Sequence, residues 1–254
     1  MPVYASARIR MTDRPGALSA IGAALAANGV DIVRLDVVSH EGTSVIDDLY
    51  LAAASAADID RALGSFFTDV VVERLAGAGT DVVLDLGSAL GRVASAPGMV
   101  EARQAALTGA LVFIHAQAGA WLELREDGAF ETVAPPGQAD AIPPGAGFAG
   151  RWVLRNRQAA AFPADSGWAP GPFREKLGHG MVAVAPCGAA GLLVVSREGA
   201  GFYSGELERL LVYADAAGAI LALKAGAPAP TPDLPAGDEL PEGARTVRRE
   251  ATAG

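Results

Sequence analysis

The chain has 254 residues, 51% of them hydrophobic and 19% charged, with a formal net charge of −9. That length holds one large domain or two of ordinary size, and the apolar content suffices for real cores. No segment is basic, so the footprint of a nucleic-acid binder is missing and an anionic membrane surface is disfavoured.

The first domain is read over residues 4–75. Ala7, Ile9 and Met11 alternate with Arg8, Arg10 and Thr12, the pattern of a half-buried strand. Asp13-Arg14-Pro15-Gly16-Ala17-Leu18 then makes a tight turn and a helix start, and Leu18, Ile21 and Leu25 recur at helical spacing. Asn28-Gly29 stops that helix. Val30–Val38 is a long strand, His40-Glu41-Gly42-Thr43 its turn, and Val45–Leu51 the returning strand of a hairpin. Ser55 or Asp58 caps a second helix with Ile59, Leu63 and Phe66 inward. Val70, Val71 and Val72 form a fourth strand. The order is βαββαβ, a ferredoxin-like split unit with two helices on one face of an antiparallel sheet.

Ala76–Thr80 is small, uncharged and reads as a linker. The second domain spans residues 81–224. Val82 to Val93 and Met99 to Thr108 read as helices. Leu111–Ala116, Trp121–Arg125 and Phe130–Val133 read as strands, with Glu126-Asp127-Gly128 as a hairpin turn. A Pro/Gly-rich loop follows from Ala134 to Gly147. Phe148–Leu154 is a short helix and Ala159–Phe162 a strand. Met181 to Ser196 is uncharged but broken by Pro186, Gly188 and Gly191, so it reads as two strands and a turn, not a membrane span. Ser204 caps a final helix with Leu207, Leu210, Leu211, Ala214 and Ile220 inward. Residues 225–254 are rich in Pro, Ala, Gly and charge and read as disordered. Cys187 is the only cysteine, which allows no intrachain disulfide and fits a reducing cytoplasm. No basic-then-apolar leader opens the chain, so no signal peptide is expected.

The series "strand, D-R-P-G-A-L, helix, N-G-V-D-I, strand" resembles the ACT domain family of amino-acid-responsive regulatory modules, over all four strands and both helices. The resemblance implies a small ligand, an amino acid, held across a homodimer interface. Its contacts would be Asp13, Arg14, Pro15, Gly16, Ala17 and Leu18 on one side and Asn28, Val30, Asp31 and Ile32 on the other. The chemistry agrees independently. A carboxylate suits the N–H donors of a helix N-terminus, and Gly16 admits close approach. An ammonium suits Asp31 and the carbonyls of the strand edge. The same residues also admit a purely structural reading: Asp13 as helix cap, Pro15 and Gly16 as first turn, Asn28-Gly29 as helix stop.

In the second domain, "GFAGRWVLRNRQAAAF", "HGMVAVAP", "AGLLVVSRE" and "GFYSGELERLLVYADAAGAIL" resemble a GAF domain. That implies an antiparallel sheet flanked by helices, with Phe148, Trp152 and Trp168 near a pocket or in a core. The overall fold class expected is α+β.

Catalytic motifs are sparse. His40 sits at a hairpin tip, His115 on a strand and His179 in a Gly-rich turn, and no pair has metal spacing. Asp47 and Asp48 are adjacent on a strand and point to opposite faces. Arg8, Arg10, Arg34, Asp36, Asp48 and Tyr50 share a polar sheet face, read as a solvated or dimer-facing network. Gly145–Gly150 matches G-x-G-x-x-G but follows a Pro-rich loop, not a strand. The sequence thus points to a cytoplasmic, non-catalytic regulator without cofactor or metal, signalling through a protein partner yet to be identified. The alternatives are a dimerisation or docking module that binds no ligand, and an enzyme with a dispersed site around Glu123, His115 and His179.

Overall fold

The computed structural model describes residues 2–66, 70–75, 86–135, 141–143, 148–169, 174–175, 180–199, 201–226 and 239–248. The chain divides into two units, Met1–Val83 and Leu84–Gly254. Both mix helices with antiparallel sheet, so the fold is α+β.

The first unit runs β1 (Val3–Thr12), α1 (Ala17–Ala27), β2 (Asp31–Glu41), β3 (Ser44–Ala53), α2 (Ala56–Gly64) and β4 (Val71–Arg74). Its sheet has the order β2-β3-β1-β4, every neighbouring pair antiparallel. The alternation in β1 decides the layers. Ala5, Ala7, Ile9 and Met11 pack with Ile21 and Leu25 of α1 and Ile59 of α2, while Ser6 and Arg8 fall on the other face. Ser55 is the N-cap of α2 and accepts the Asp58 N–H. Asn28 and Gly29 end α1 in a Schellman motif: the Val30 N–H reaches Leu25 O, the Gly29 N–H reaches Ala26 O, and Gly29 takes φ 69°.

The second unit has a seven-stranded antiparallel sheet among the described residues, in the order β11-β8-β9-β10-β5-β6-β7. Its strands are β5 (Ala118–Leu124), β6 (Phe130–Ala134), β7 (Ala141–Ile142), β8 (Gln158–Pro163), β9 (Met181–Cys187), β10 (Gly191–Arg197) and β11 (Arg245–Arg248). Helices α3 (Leu86–Ser95), α4 (Met99–Phe113) and α6 (Ser204–Ala225) share one core with Trp121, Ala161, Ala185 and Leu193. Helix α5 (Ala149–Asn156) lies in the core of the opposite face, with Phe130, Phe162, Val184 and Leu192. Both faces of the sheet are therefore buried, which explains the near-continuous apolar runs of β9 and β10.

Four expectations change. Leu111–Ala116 is not a strand: α4 continues to Phe113, and His115 sits in the turn after it at φ 54°. A helix flanked by other helices and a sheet is apolar on several sides, so its end imitates a strand run. The final helix is N-capped at Tyr203 rather than Ser204, and Glu206 reaches back to accept the Tyr203 N–H at 3.0 Å. Residues 225–254 are not uniformly disordered. Arg245–Arg248 pair with β8, Val247 packs on the helix-side core, and Leu240 and Ala244 pack on the other. The polar face of the first sheet is not a solvated network at its centre, since Arg8 and Asp48 are both buried. The linker 76–80 and most of the loop before α5 lie outside the described residues.

Candidate functional site

The D-R-P-G-A-L segment folds as a type II turn. The Ala17 N–H donates to Arg14 O at 3.1 Å, and Gly16 takes φ 87°, ψ −5°. Pro15 supplies the fixed φ before it and Gly16 the positive φ that an L side chain resists. Gly16 is also the N-cap of α1, and no side chain caps the helix. Asp13 therefore does not act as the cap. Its backbone N–H donates to Thr43 O at 2.8 Å, tying the turn to the β2–β3 hairpin. Its carboxylate lies 3.8 Å from His40 Nδ1, both side chains largely exposed. Arg14, Pro15, Gly16 and Leu18 are exposed and Ala17 is half-buried. The outcome is a solvent-facing helix N-terminus whose first-turn donors carry no side-chain acceptor, an arrangement suited to a carboxylate.

The second group of residues divides between structure and surface. The Asn28 side chain donates to Ala24 O at 2.9 Å, closing the end of α1. Val30 is a core residue. Asp31 and Ile32 are exposed at the start of β2, which is an edge strand of this sheet. An open depression of ≈ 450 Å³ there is lined by Pro2, Gly29, Asp31 and Ala52–Ala54.

The two groups do not meet within one chain. Thr12 pairs with Ser44 at one end of the sheet, whereas Asp31 pairs with Ala52 at the other. The eight residue steps between Ser44 and Ala52 span about 26 Å. Helix α1 separates the same two ends by about 16 Å along its axis.

Sequence reasoning set Asp47 and Asp48 on opposite faces of a strand but counted neither among the site residues. Asp47 is buried on the face of β3 that packs against the helices, opposite Ile9 and Val37, and its Oδ1 has no hydrogen-bond partner. Burial raises its pKa above the usual carboxylate value. His40 opposes that rise, and Asp48 and Asp13 add to it. The signal in sequence was a charged residue in the inward register of Val45, Leu49 and Leu51. On the other face Asp48 opposes Arg8 directly and accepts two bonds from it, Nε to Oδ1 at 2.8 Å and Nη2 to Oδ2 at 2.9 Å. Arg34 holds Asp36 in the same way and lies 5.0 Å from the ring centre of Tyr50.

The family model of the ACT domain matches residues 5–73. Residues 5–73 form an ACT domain. ACT domains are regulatory modules that generally bind small molecules such as amino acids and often dimerise. No curated protein matches the chain. A solved structure assigned as a glycine cleavage system transcriptional repressor aligns over 77% of this chain and 78% of its own, at 8% identity and TM-score 0.26. The chromophore-binding domain of the bacteriophytochrome RpBphP3 from R. palustris aligns over 87% of this chain and 93% of its own, at 11% identity and TM-score 0.42.

Outside the ACT domain, Glu123 and His115, two of the residues weighed for a dispersed site, have separate surroundings. Glu123 on β5 accepts from Arg103 Nη2 at 2.6 Å, His115 is buried in the turn after α4, and His179 lies outside the described residues. Phe148 and Trp168 are core residues. Trp168 lies 5.9 Å from Phe148 and 5.4 Å from Phe162 between ring centres, while Trp152 is half-buried against the same core. Among the described residues no helix is long and apolar enough to cross a membrane.

Proposed function

We propose that this chain is a non-catalytic regulatory protein whose ACT domain binds an amino acid between two copies of the chain. The observation that carries the reading is the uncapped, solvent-facing start of α1 behind Gly16, where space beyond the glycine is open. A ligand carboxylate there gains from the helix N–H donors and the dipole, about 0.3–1 kcal/mol from the dipole alone. The exposed Asp31 is a carboxylate available to an ammonium.

Two copies reconcile the separated groups. β2 is an edge strand with Ile32, Val33 and Val37 exposed, a surface that invites pairing. A two-fold antiparallel pairing of β2 with its counterpart sets the start of one strand beside the end of the other. Asp31 and Ile32 of one copy then approach His40 and the Asp13 turn of the second. Ligand binding favours the paired arrangement, and the population shift is the signal. The second domain, GAF-like by its sequence motifs, passes the signal to a protein partner in the cytoplasm.

The test is isothermal titration of the full chain with each proteinogenic amino acid, with sedimentation velocity in parallel. The reading expects heat for one or a few of them, coupled to dimer formation, and loss of that heat in Gly16→Val. Absence of heat and of any thermal shift with all of them overturns it. A docking role without ligand has one observation in its favour, the consumption of Asn28 and Val30 by helix end and core. It predicts a dimer indifferent to amino acids.

A further inference from the structure

Beyond α6 the chain returns to the second domain as a strand. Arg245, Thr246, Val247 and Arg248 of β11 stand opposite Ala161, Ala160, Ala159 and Gln158 of β8 in antiparallel register. β8 has β9 on its other side, so β11 covers what would otherwise be an open sheet edge. That edge is built of small residues: Ala159, Ala160 and Ala161 are all buried, and their side chains end at Cβ. They leave a shallow surface on both faces of the sheet for the side chains of the strand beside them.

The segment fits the edge as a clasp. Val247 packs on the helix-side core, and the Arg245 guanidinium, two residues earlier on the same face, lies 5.7 Å from the ring centre of Tyr203 at the start of α6. On the other face Leu240 and Ala244 pack against the core that holds Phe162. A turn joins the two halves: the Ala244 N–H donates to Pro241 O at 3.2 Å, and Gly243 takes φ 76°. The edge thus receives an extended segment with a cation at one position and a β-branched apolar residue two positions on, its backbone laddered to β8. The chain's net charge of −9 also favours the approach of a basic segment at long range.

The same segment is held lightly. None of residues 239–248 is buried; Arg245, Thr246 and Arg248 are exposed and Val247 is half-buried. β11 ladders to one neighbour over four residues, whereas β9 ladders to a strand on each side. Ala159 to Phe162 of β8 are 0–1% exposed. Opening the clasp therefore breaks few apolar contacts and bares a row of backbone donors and acceptors on β8. Such an edge binds an extended peptide by adding a strand to the sheet, main-chain bonds giving affinity and alternate side chains giving selectivity.

We infer that the β8 edge is a docking site for an extended basic segment of a partner protein, closed at rest by the chain's own residues 239–248, which act as a displaceable mimic of that segment. The inference rests on the proposed function only for the existence of a protein partner; the closed edge does not depend on amino-acid binding at the ACT turn.

Fluorescence anisotropy with a labelled synthetic peptide of residues 239–248, together with hydrogen exchange of the full chain, tests this. Thr246→Pro combined with Val247→Pro opens the clasp in the full chain. Successive N–H groups of a strand point to opposite sides, so one of the two prolines removes a donor aimed at β8. The chain's own strand is present at an effective concentration of about millimolar, so the opened variant is expected to bind the peptide at least about tenfold more tightly than the parent. Its Ala159–Phe162 amides should exchange faster than the parent's, those of Leu193–Val195 should not change, and added peptide should restore protection. A peptide carrying Arg245→Glu and Val247→Asp is expected to bind at least about tenfold more weakly. If the double-proline variant fails to fold, Leu240→Asp frees the clasp from the other face and must give the same gain. No gain in peptide binding on opening, equal binding of the altered peptide, or unchanged exchange at Ala159–Phe162 overturns the docking site. A ligand-free parent dimer that the double-proline variant dissolves assigns the edge to the C-terminal strand of a second copy and overturns closure within one chain. Gly16→Val, which removes amino-acid binding under the proposed function, leaves all of these results in place, so either reading can fail without the other.

Discussion

Removing the Asp48 carboxylate should be among the most damaging single changes in the ACT domain. Arg8 and Asp48 are directly opposed on β1 and β3, joined by two bonds of 2.8 and 2.9 Å, with side chains 4% and 0% exposed. An exposed cross-strand ion pair is worth at most about 1 kcal/mol. Here Asp48→Ala leaves a buried guanidinium without the acceptor that offsets its desolvation, a cost of about 3–5 kcal/mol. At about 4 °C per kcal/mol or more for a domain of this size, the unfolding midpoint of the first unit falls by about 12 °C or more. Replacing both residues by apolar groups of similar size, Arg8→Met with Asp48→Leu, removes both charges from the low-dielectric site. The double variant should match the parent or exceed its stability by about 1–4 kcal/mol. A double-mutant cycle in urea, with the two units' transitions followed separately, reads the coupling. If each single variant costs less than about 1 kcal/mol and the two add, water reaches this face of the sheet and the argument from burial fails.

Three further outcomes follow from single positions. The folded chain holds a proton on Asp47 to higher pH than the unfolded chain, because burial raises its pKa above 3.8. Stability tied to this group is therefore present below that value and lost as pH rises through the folded pKa. Asp47→Asn should match the parent at low pH and exceed it near neutrality, and thermal unfolding curves that stay parallel from about pH 3 to 7 would contradict the sign. Gly16→Ala meets no neighbour within 4 Å but forces an L side chain to φ 87°, so it should cost about 1–2 kcal/mol from backbone strain alone; denaturation showing no loss would mean that the turn relaxes to another form. Gly218→Ala places a Cβ 2.8 Å from the Gly188 Cα and closer still to its backbone nitrogen, so α6 must withdraw from the β9–β10 hairpin at about 1–3 kcal/mol. Unchanged stability there would disprove so close an approach.

Much of the molecule was legible in the chain. The strand alternation of β1, the Pro-Gly turn, the Asn-Gly helix stop and the Ser55 cap are local chemistry. Each acts over a few residues, so local sequence carries it and the βαββαβ order follows. The D-R-P-G-A-L turn was legible for the same reason. Its role as a type II turn explains both the proline and the glycine without any ligand.

What local sequence lacked was the identity of the neighbours. Leu111–Phe113 looks like a strand until α4 is seen packed on a sheet with helices beside it. Arg245–Arg248 looks like tail until β8 offers an edge. Asp47 and Asp48 are adjacent and alike in sequence, yet one is buried without a partner at Oδ1 and the other is clasped by Arg8 across the sheet. The two motifs of the ACT domain sit close in sequence but at opposite ends of α1, so one chain cannot bring them together. The sequence by itself determined the elements, their order and the chemistry of each turn, because those depend on propensities and hydrogen bonds within a few residues. Tertiary structure alone decided which charges are buried and paired, where an open depression remains, and that the Asp13 and Asp31 groups lie at opposite ends of one sheet, because burial and long-range register are properties of the packed whole.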